Sequence, residues 1–350
     1  QMYYTAGLGS SWWPYVGTPL GLIILTSGWV IYRFRQTRAL TLGQFFEMRY
    51  SKKFRIFAGF ICFFSGVINF GIFPAVAANF FINFCGLPTS IAIPGLDTVL
   101  PTYPLVTLGL VSIALYIALM GGQVSIMTTD FLQAMFCNVV FVVILVILLG
   151  KFPMTDVFDG LMIAPENASK VNPYQAGGTE SFSLWYFIVL YVGQFYGTRA
   201  WQGTQGYNAS ALNAHEAKLG AVIGGLRGWA FLASITLLPL VAYMIMHHPD
   251  YSEQAAIVQQ SPDKISNEEV RHQMITPMVM TTFIPKGVMG AFVLAMFAAF
   301  LTTHDTYMHS WGSILVQDVI IPLRKKKLTA KQHMRYLRWS VFGVAAFIYL

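Results

Sequence analysis

Long apolar stretches, separated by shorter polar or basic segments, set the pattern of this chain. Runs of roughly 20 or more mostly apolar residues, the length that crosses a bilayer core, fall at 11–32, 56–84, 103–121, 129–150, 184–206, 219–246 and 286–321, and a further run opens near 336. The pattern predicts an all-α integral membrane protein with seven complete spans and part of an eighth, organised as a single transmembrane domain over 1–350. The second and seventh spans exceed what a bilayer needs, so they are expected to tilt or to run into the loops. Gly66, Gly71, Pro74 and Gly290 inside them are tolerated where neighbouring helices satisfy the backbone. The chain opens at Gln1 and stops at Leu350 within an apolar run, so it reads as a fragment truncated at both ends.

Charge fixes the expected orientation. Only 11% of residues are charged and 55% are hydrophobic, against about 25% charged in an average soluble domain. Arg33, Arg35, Arg38, Arg49, Lys52, Lys53 and Arg55 follow the first span, and Arg324, Lys325, Lys326, Lys327, Lys331, Arg335 and Arg338 precede the eighth. With every run crossing, these loops and the one holding Lys218 fall on one side, which the positive-inside rule makes cytoplasmic. The net charge of +7 is therefore a membrane signature, and no nucleic-acid partner is expected. The two long outer loops, 151–183 and 247–285, are polar, and a short helix from Asn267 to Gln273 is expected in the second. Cys62, Cys85 and Cys137 lie in or beside apolar runs with no metal or disulfide spacing, and no signal peptide is visible. The sequon Asn167-Ala168-Ser169 lies in an outer loop.

Polar side chains at membrane depth are costly and mark function by default. On the seventh span, Ala299, Thr302, Thr306 and His309 share one helix face, with Asp305 at its border and Thr303 on the other flank. A small hard cation wants oxygen ligands, which hydroxyls, a backbone carbonyl and a carboxylate supply; the bland alternative is threonines bonded back to the preceding turn. In Gly121-Gly122-Gln123 through Gln133, Thr128 or Thr129 reads as the N-cap of a new helix. That would put Asp130 in the first turn, favoured there by the helix dipole; the functional alternative is that Asp130 receives a cation on the inner exit path. Along the fifth span and its inner end, Gln194, Trp201 and Gln202 are candidates for contact with an organic solute. His304 and His309 have no third partner at metal spacing, so no metal other than an alkali cation is expected.

Three stretches resemble the sodium:solute symporter family, which includes bacterial proline, sugar and sialic acid symporters. They are Thr41-Leu42-Gly43-Gln44-Phe45-Phe46-Glu47-Met48-Arg49-Tyr50, the Gly121–Gln133 segment with its Gly-Gly, Thr-Asp and Gln, and Ala298–Asp318 with its small and hydroxyl residues and terminal acid. The resemblance implies a LeuT-type inverted-repeat helix bundle in which the chain opens at the tail of the first core helix. It implies a central sodium site built from the Ala299 carbonyl and the Thr302 and Thr303 hydroxyls, completed by the first core helix, which is missing here. It also implies that Asp130, Thr302, Asp305 and Thr306 match a second cation site present in some members. The chain departs from the family in carrying Asp305 where a small hydroxyl residue is more usual, and Gln205-Gly206-Tyr207 where Gln-Arg is common. The expected activity is sodium-driven import of a small organic solute (a sugar, an amino acid or a carboxylate) across a cell membrane, without enzymatic chemistry. The bilayer is the other expected partner, and the assembly is a monomer or a loose oligomer. The alternatives are a transporter-like sensor domain and a proton-coupled symporter of the same fold.

Overall fold

The computed structural model describes residues 2–92, 99–175, 185, 188–189, 191–193, 201–260 and 267–350. The described chain is almost entirely helical, apart from one antiparallel hairpin pairing Ser90–Ala92 with Val99–Pro101. Four helical runs among the described residues are long and apolar enough to cross a membrane: Lys52–Phe84, Thr102–Lys151, Ala214–His247 and Lys286–Leu323. The predicted run at 11–32 is divided among shorter helices, Gly9–Val16, Thr18–Ser27 and Ile31–Gln36, and Gly28 has a positive φ between the last two. Most of 184–206 lies outside the described residues.

The expected spans 103–121 and 129–150 lie in one helical run, Thr102–Lys151, interrupted only at Gly122 (φ 57°, ψ −150°). A side chain at that backbone conformation would be strained, which is why glycine stands there. Helix resumes at once after Gly122, so neither Thr128 nor Thr129 is an N-cap. Thr128 Oγ1 donates to Val124 O (3.0 Å), and Thr129 Oγ1 donates to Ser125 O and Ile126 O (3.0 Å each). Asp130 consequently sits inside the helix, beyond its first turn.

The chain forms two compact units. The first holds residues 1–24, 135–195 and 223–296. Its centre is Trp229–His247, where Leu240, Val241, Ala242, Met244 and Ile245 are almost wholly buried. The outer loop after it folds as Ser252–Gln260 and Glu268–Phe283. The second of these is longer than the expected Asn267–Gln273 helix, and it starts where Asn267 Oδ1 accepts from Glu269 N and Val270 N (3.0 and 3.2 Å).

The second unit holds residues 25–134, 196–222 and 297–350. Val67 and Phe70, Leu110, Ala114 and Ala118, Ile126, Phe300, Leu301, Met308 and Trp311, and Val341, Val344 and Ile348 form one apolar core. Five helical stretches are thereby packed round the residues of chemical interest. Thr41 caps Leu42–Arg49 by accepting from Gln44 N (3.1 Å), and Ser51 caps Lys52–Phe70 by accepting from Phe54 N (3.2 Å). Lys286–Ile314 passes into a π-helical turn at Leu315–Ile320. Ala330–Tyr349 opens with a reciprocal Thr329–Gln332 capping box.

Candidate functional site

The candidate site is built largely on one turn of Lys286–Ile314. Thr302 Oγ1 and Thr303 Oγ1 both donate to the carbonyl of Ala299, at 3.0 and 2.9 Å. The spacing i, i+3, i+4 brings both hydroxyls to one carbonyl, so three oxygens gather in a partly buried place on a single helix. The hydroxyls bond back to the preceding turn, as threonines in apolar helices do. A rotation of each O–H turns its lone pairs outward, so the same three atoms present an all-oxygen set suited to a hard cation.

One turn further on, Thr306 meets Asp130 across the unit. Thr306 Oγ1 donates to Asp130 Oδ2 at 3.1 Å, Tyr207 OH donates to the same oxygen, and Tyr207 OH and Thr306 Oγ1 are 2.8 Å apart. Asp305, fully buried, accepts from Thr306 N through Oδ1 (2.6 Å). Asp130 Oδ1 and Asp305 Oδ2 are buried without a hydrogen-bond partner among the described residues. Neither carboxylate enters an ion pair among the described residues. An unpaired buried carboxylate costs several kcal/mol, so the arrangement calls for a counter-charge, and the ligands on offer are oxygens. His304 does not provide it: its Nδ1–H donates to Phe300 O (2.8 Å), and its ring stacks on Phe300 with centroids 3.6 Å apart.

The solute-contact candidates are placed differently from one another. Gln194 lies outside the described residues. Trp201 stands edge-on to Trp311 (centroids 5.6 Å apart, planes at 84°). Gln202 is buried, and its Oε1 accepts from Leu42 N at 3.2 Å. Two further polar groups, Tyr207 and Asp318, make long-range contacts around the candidate site. Tyr207 carried a signal, since it stands at the point where the chain departs from the resembled motif. Asp318 carried another, as an isolated carboxylate closing an apolar run, which needs a partner. That partner is Arg55, whose Nε lies 3.0 Å from Asp318 Oδ1.

The family model for the sodium:solute symporter family matches residues 1–350. Among solved structures, the chain is similar to one described as the substrate-bound, outward-open state of a Na+-coupled sialic acid symporter with a novel Na+ site. The TM-score is 0.70 at 16% identity, over 99% of this chain and 68% of that one. No curated protein matches the chain in sequence.

Proposed function

The chain belongs to the sodium:solute symporter family, with Na+ as its coupling ion and a multi-pass membrane setting, and on that premise we propose that it forms most of the core of a symporter importing a small organic solute. The solute class we favour is a sugar, an amino acid or a carboxylate, and the location a cell membrane. The observation that carries the site assignment is the convergence of Ala299 O, Thr302 Oγ1 and Thr303 Oγ1 on one helical turn. Sodium held by these three oxygens draws the two hydroxyl protons away from the carbonyl, and binding is strongest in whichever conformation completes the oxygen shell. An ion shifts a conformational equilibrium only by its difference in affinity for the two states. Completing and breaking that shell is the physical link between the ion and alternating access.

Asp130, Asp305 and Thr306 form the second part of the proposal. Their two unmatched carboxylate oxygens suit a further cation, either bound there or passing toward the basic loops. Trp201, edge-on to Trp311, and Gln194, outside the described residues, are the proposed solute contacts. Gln202 is engaged by Leu42 N.

The test is uptake by the intact protein in proteoliposomes across a panel of labelled solutes, with an inward sodium gradient and with sodium replaced by choline. Sodium-dependent accumulation of one solute is the expected result and names the substrate. Binding of a solute without accumulation of any would overturn import in favour of a sensor. Accumulation that follows pH and ignores sodium would favour proton coupling.

A further inference from the structure

The cytoplasmic-type segment at Thr41–Arg55 is tied into the unit by a buried network that the sodium-site assignment leaves unexplained. Asp318 is 1% exposed and lies within the π-helical turn. Its Oδ1 accepts from Thr41 Oγ1 (2.7 Å) and Arg55 Nε (3.0 Å), while Arg55 also reaches Glu47 Oε2 (2.5 Å) and Gln317 O (2.8 Å). Two glycines make the approach possible. A Cβ on Gly43 would lie 2.5 Å from Asp318 Cγ, and one on Gly59 would lie 2.5 Å from Asp318 Cβ. A buried ion pair contributes little net stability compared with apolar packing, and its best-attested use is to fix one register. A π-turn in an α-helix is frequent at functional places.

The register it fixes leads to the candidate site. Thr41 is held by Asp318, and the next residue donates Leu42 N to Gln202 Oε1 (3.2 Å). Gln202 opens a segment, 201–211, fastened at further points: Gly203 O accepts from Ser310 Oγ (2.7 Å), and Ala211 O accepts from Arg35 Nε and Nη2 (3.0 and 2.8 Å). In the middle of that segment stands Tyr207, whose hydroxyl meets Asp130 and Thr306.

We propose that Asp318 and Thr41 are positioning residues of the transport cycle: through Leu42 N and Gln202 they hold the 201–211 segment as a strap, with Tyr207 closing the Asp130–Thr306 pair on the side of the basic loops. The proposal rests on the reading that Asp130 and Thr306 belong to the sodium path. While the strap is fastened, Tyr207 occupies Asp130 Oδ2 and bars ion loss toward the cytoplasm. When it loosens, Asp130 is uncovered and sodium leaves. Gln202 is then a fastening of the strap, in place of a solute contact.

The experiment is equilibrium binding of radioactive sodium to the purified intact transporter, which requires no knowledge of the solute. Thr41→Val keeps the volume at 41 and removes the hydroxyl. It is expected to raise half-saturating sodium about tenfold, equivalent to about 1.4 kcal/mol at 25 °C, while Thr41→Ser restores the wild-type value. Tyr207→Phe is expected to raise it similarly, and the double variant Thr41→Val/Tyr207→Phe no further than Tyr207→Phe alone. Ser51→Ala removes the neighbouring helix cap and serves as the structural control: it lowers the melting temperature without moving half-saturation. A Thr41→Val variant that melts earlier but binds sodium normally would overturn the strap, as would additivity in the double variant. Asp130→Asn separates the two layers. Unchanged sodium binding in Asp130→Asn removes the underlying site reading, whereas weakened binding there with no effect at Thr41 removes the strap alone.

Discussion

Replacing Thr302 and Thr303 together by valine tests the central assignment most directly. Valine keeps the β-branching and nearly the volume of threonine, so the change removes two hydroxyls and little else. Both hydroxyls donate to Ala299 O, a carbonyl that the helix ladder already satisfies. Their loss therefore leaves no buried group unpaired, and the sodium-free protein should keep its stability to within about 1 kcal/mol. The cost falls on the ion. A polar contact to a charged group is worth about 1.5–3 kcal/mol, so two contacts represent roughly 3–6 kcal/mol, or about two to four powers of ten in dissociation constant. Thermal unfolding at varied sodium measures this without a known solute. At sodium 100 times its dissociation constant the wild type gains about 2.7 kcal/mol, and a variant weakened about 100-fold gains about 0.4 kcal/mol under the same conditions. The sodium-dependent rise in melting temperature should thus shrink to about a sixth, with choline giving no rise in either protein. A double-valine variant that melts with the full wild-type sodium dependence would refute the assignment.

Three further outcomes are expected. Asp305→Asn keeps an acceptor for Thr306 N but removes the charge, so the Hill coefficient for sodium activation should fall toward one; an unchanged coefficient counts against a second cation at Asp130 and Asp305. Gly66→Ala would place a Cβ 2.5 Å from the Trp311 ring, and this overpacking should cost about 1–3 kcal/mol, read as a lower melting temperature; a fully stable variant would mean the ring has room to shift. Lys170→Met removes an ammonium that donates to Thr5 O and lies 5.3 Å from the centre of the Tyr243 ring. Burial holds that ammonium below its ordinary pKa, so folding releases a proton and the wild type gains stability as pH rises from the lowered value toward the unfolded one. Thermal melts should show this alkaline gain in the wild type and its loss in Lys170→Met, and equal pH profiles would contradict it.

The parts of this molecule that depend on one helix were legible in the sequence, and the parts that depend on distant pairing were not. Ala299, Thr302 and Thr303 come together because a helix puts i, i+3 and i+4 on one side, whatever the rest of the chain does. The apolar runs at 56–84, 219–246 and 286–321 declared themselves by length and composition, and the structure has a spanning-length helical run over each, while the runs at 103–121 and 129–150 share a single one, Thr102–Lys151. Thr128 and Thr129 misled because a threonine after a glycine pair has the look of a cap, while the backbone at Gly122 lets helix resume earlier. Tyr207 reaches Asp130 across 77 residues and Asp318 reaches Thr41 across 277. No local pattern encodes such partners. What the sequence offers instead is a cost, an apolar run that carries a carboxylate, from which a partner can be demanded but not identified.

The two ends of the Lys286–Leu323 run bear on each other through the size of the coupling energy. Moving a two-state equilibrium from 1:99 to 99:1 takes a difference in affinity of about 5.5 kcal/mol. The two hydroxyls at 302 and 303 represent roughly 3–6 kcal/mol, so nearly all of what they contribute must reach the conformational change. A helix free to slip or rotate would absorb part of it locally. Asp318 resists both motions, because Gly43 and Gly59 leave no space beside it and Thr41 and Arg55 fix its oxygen from two directions. An apolar residue at 318 would pack against the same glycines but would tolerate sliding, since dispersion contacts lack direction. The ion pair is thus better explained by register than by stability. It follows that Asp318→Asn should uncouple before it destabilises: sodium still binds, weakened about as in Thr41→Val, while the sodium-dependent change in the exposure of Ser210 to a thiol reagent (as Ser210→Cys) is lost, and a normal exposure change would show that the helix holds its register without the charge.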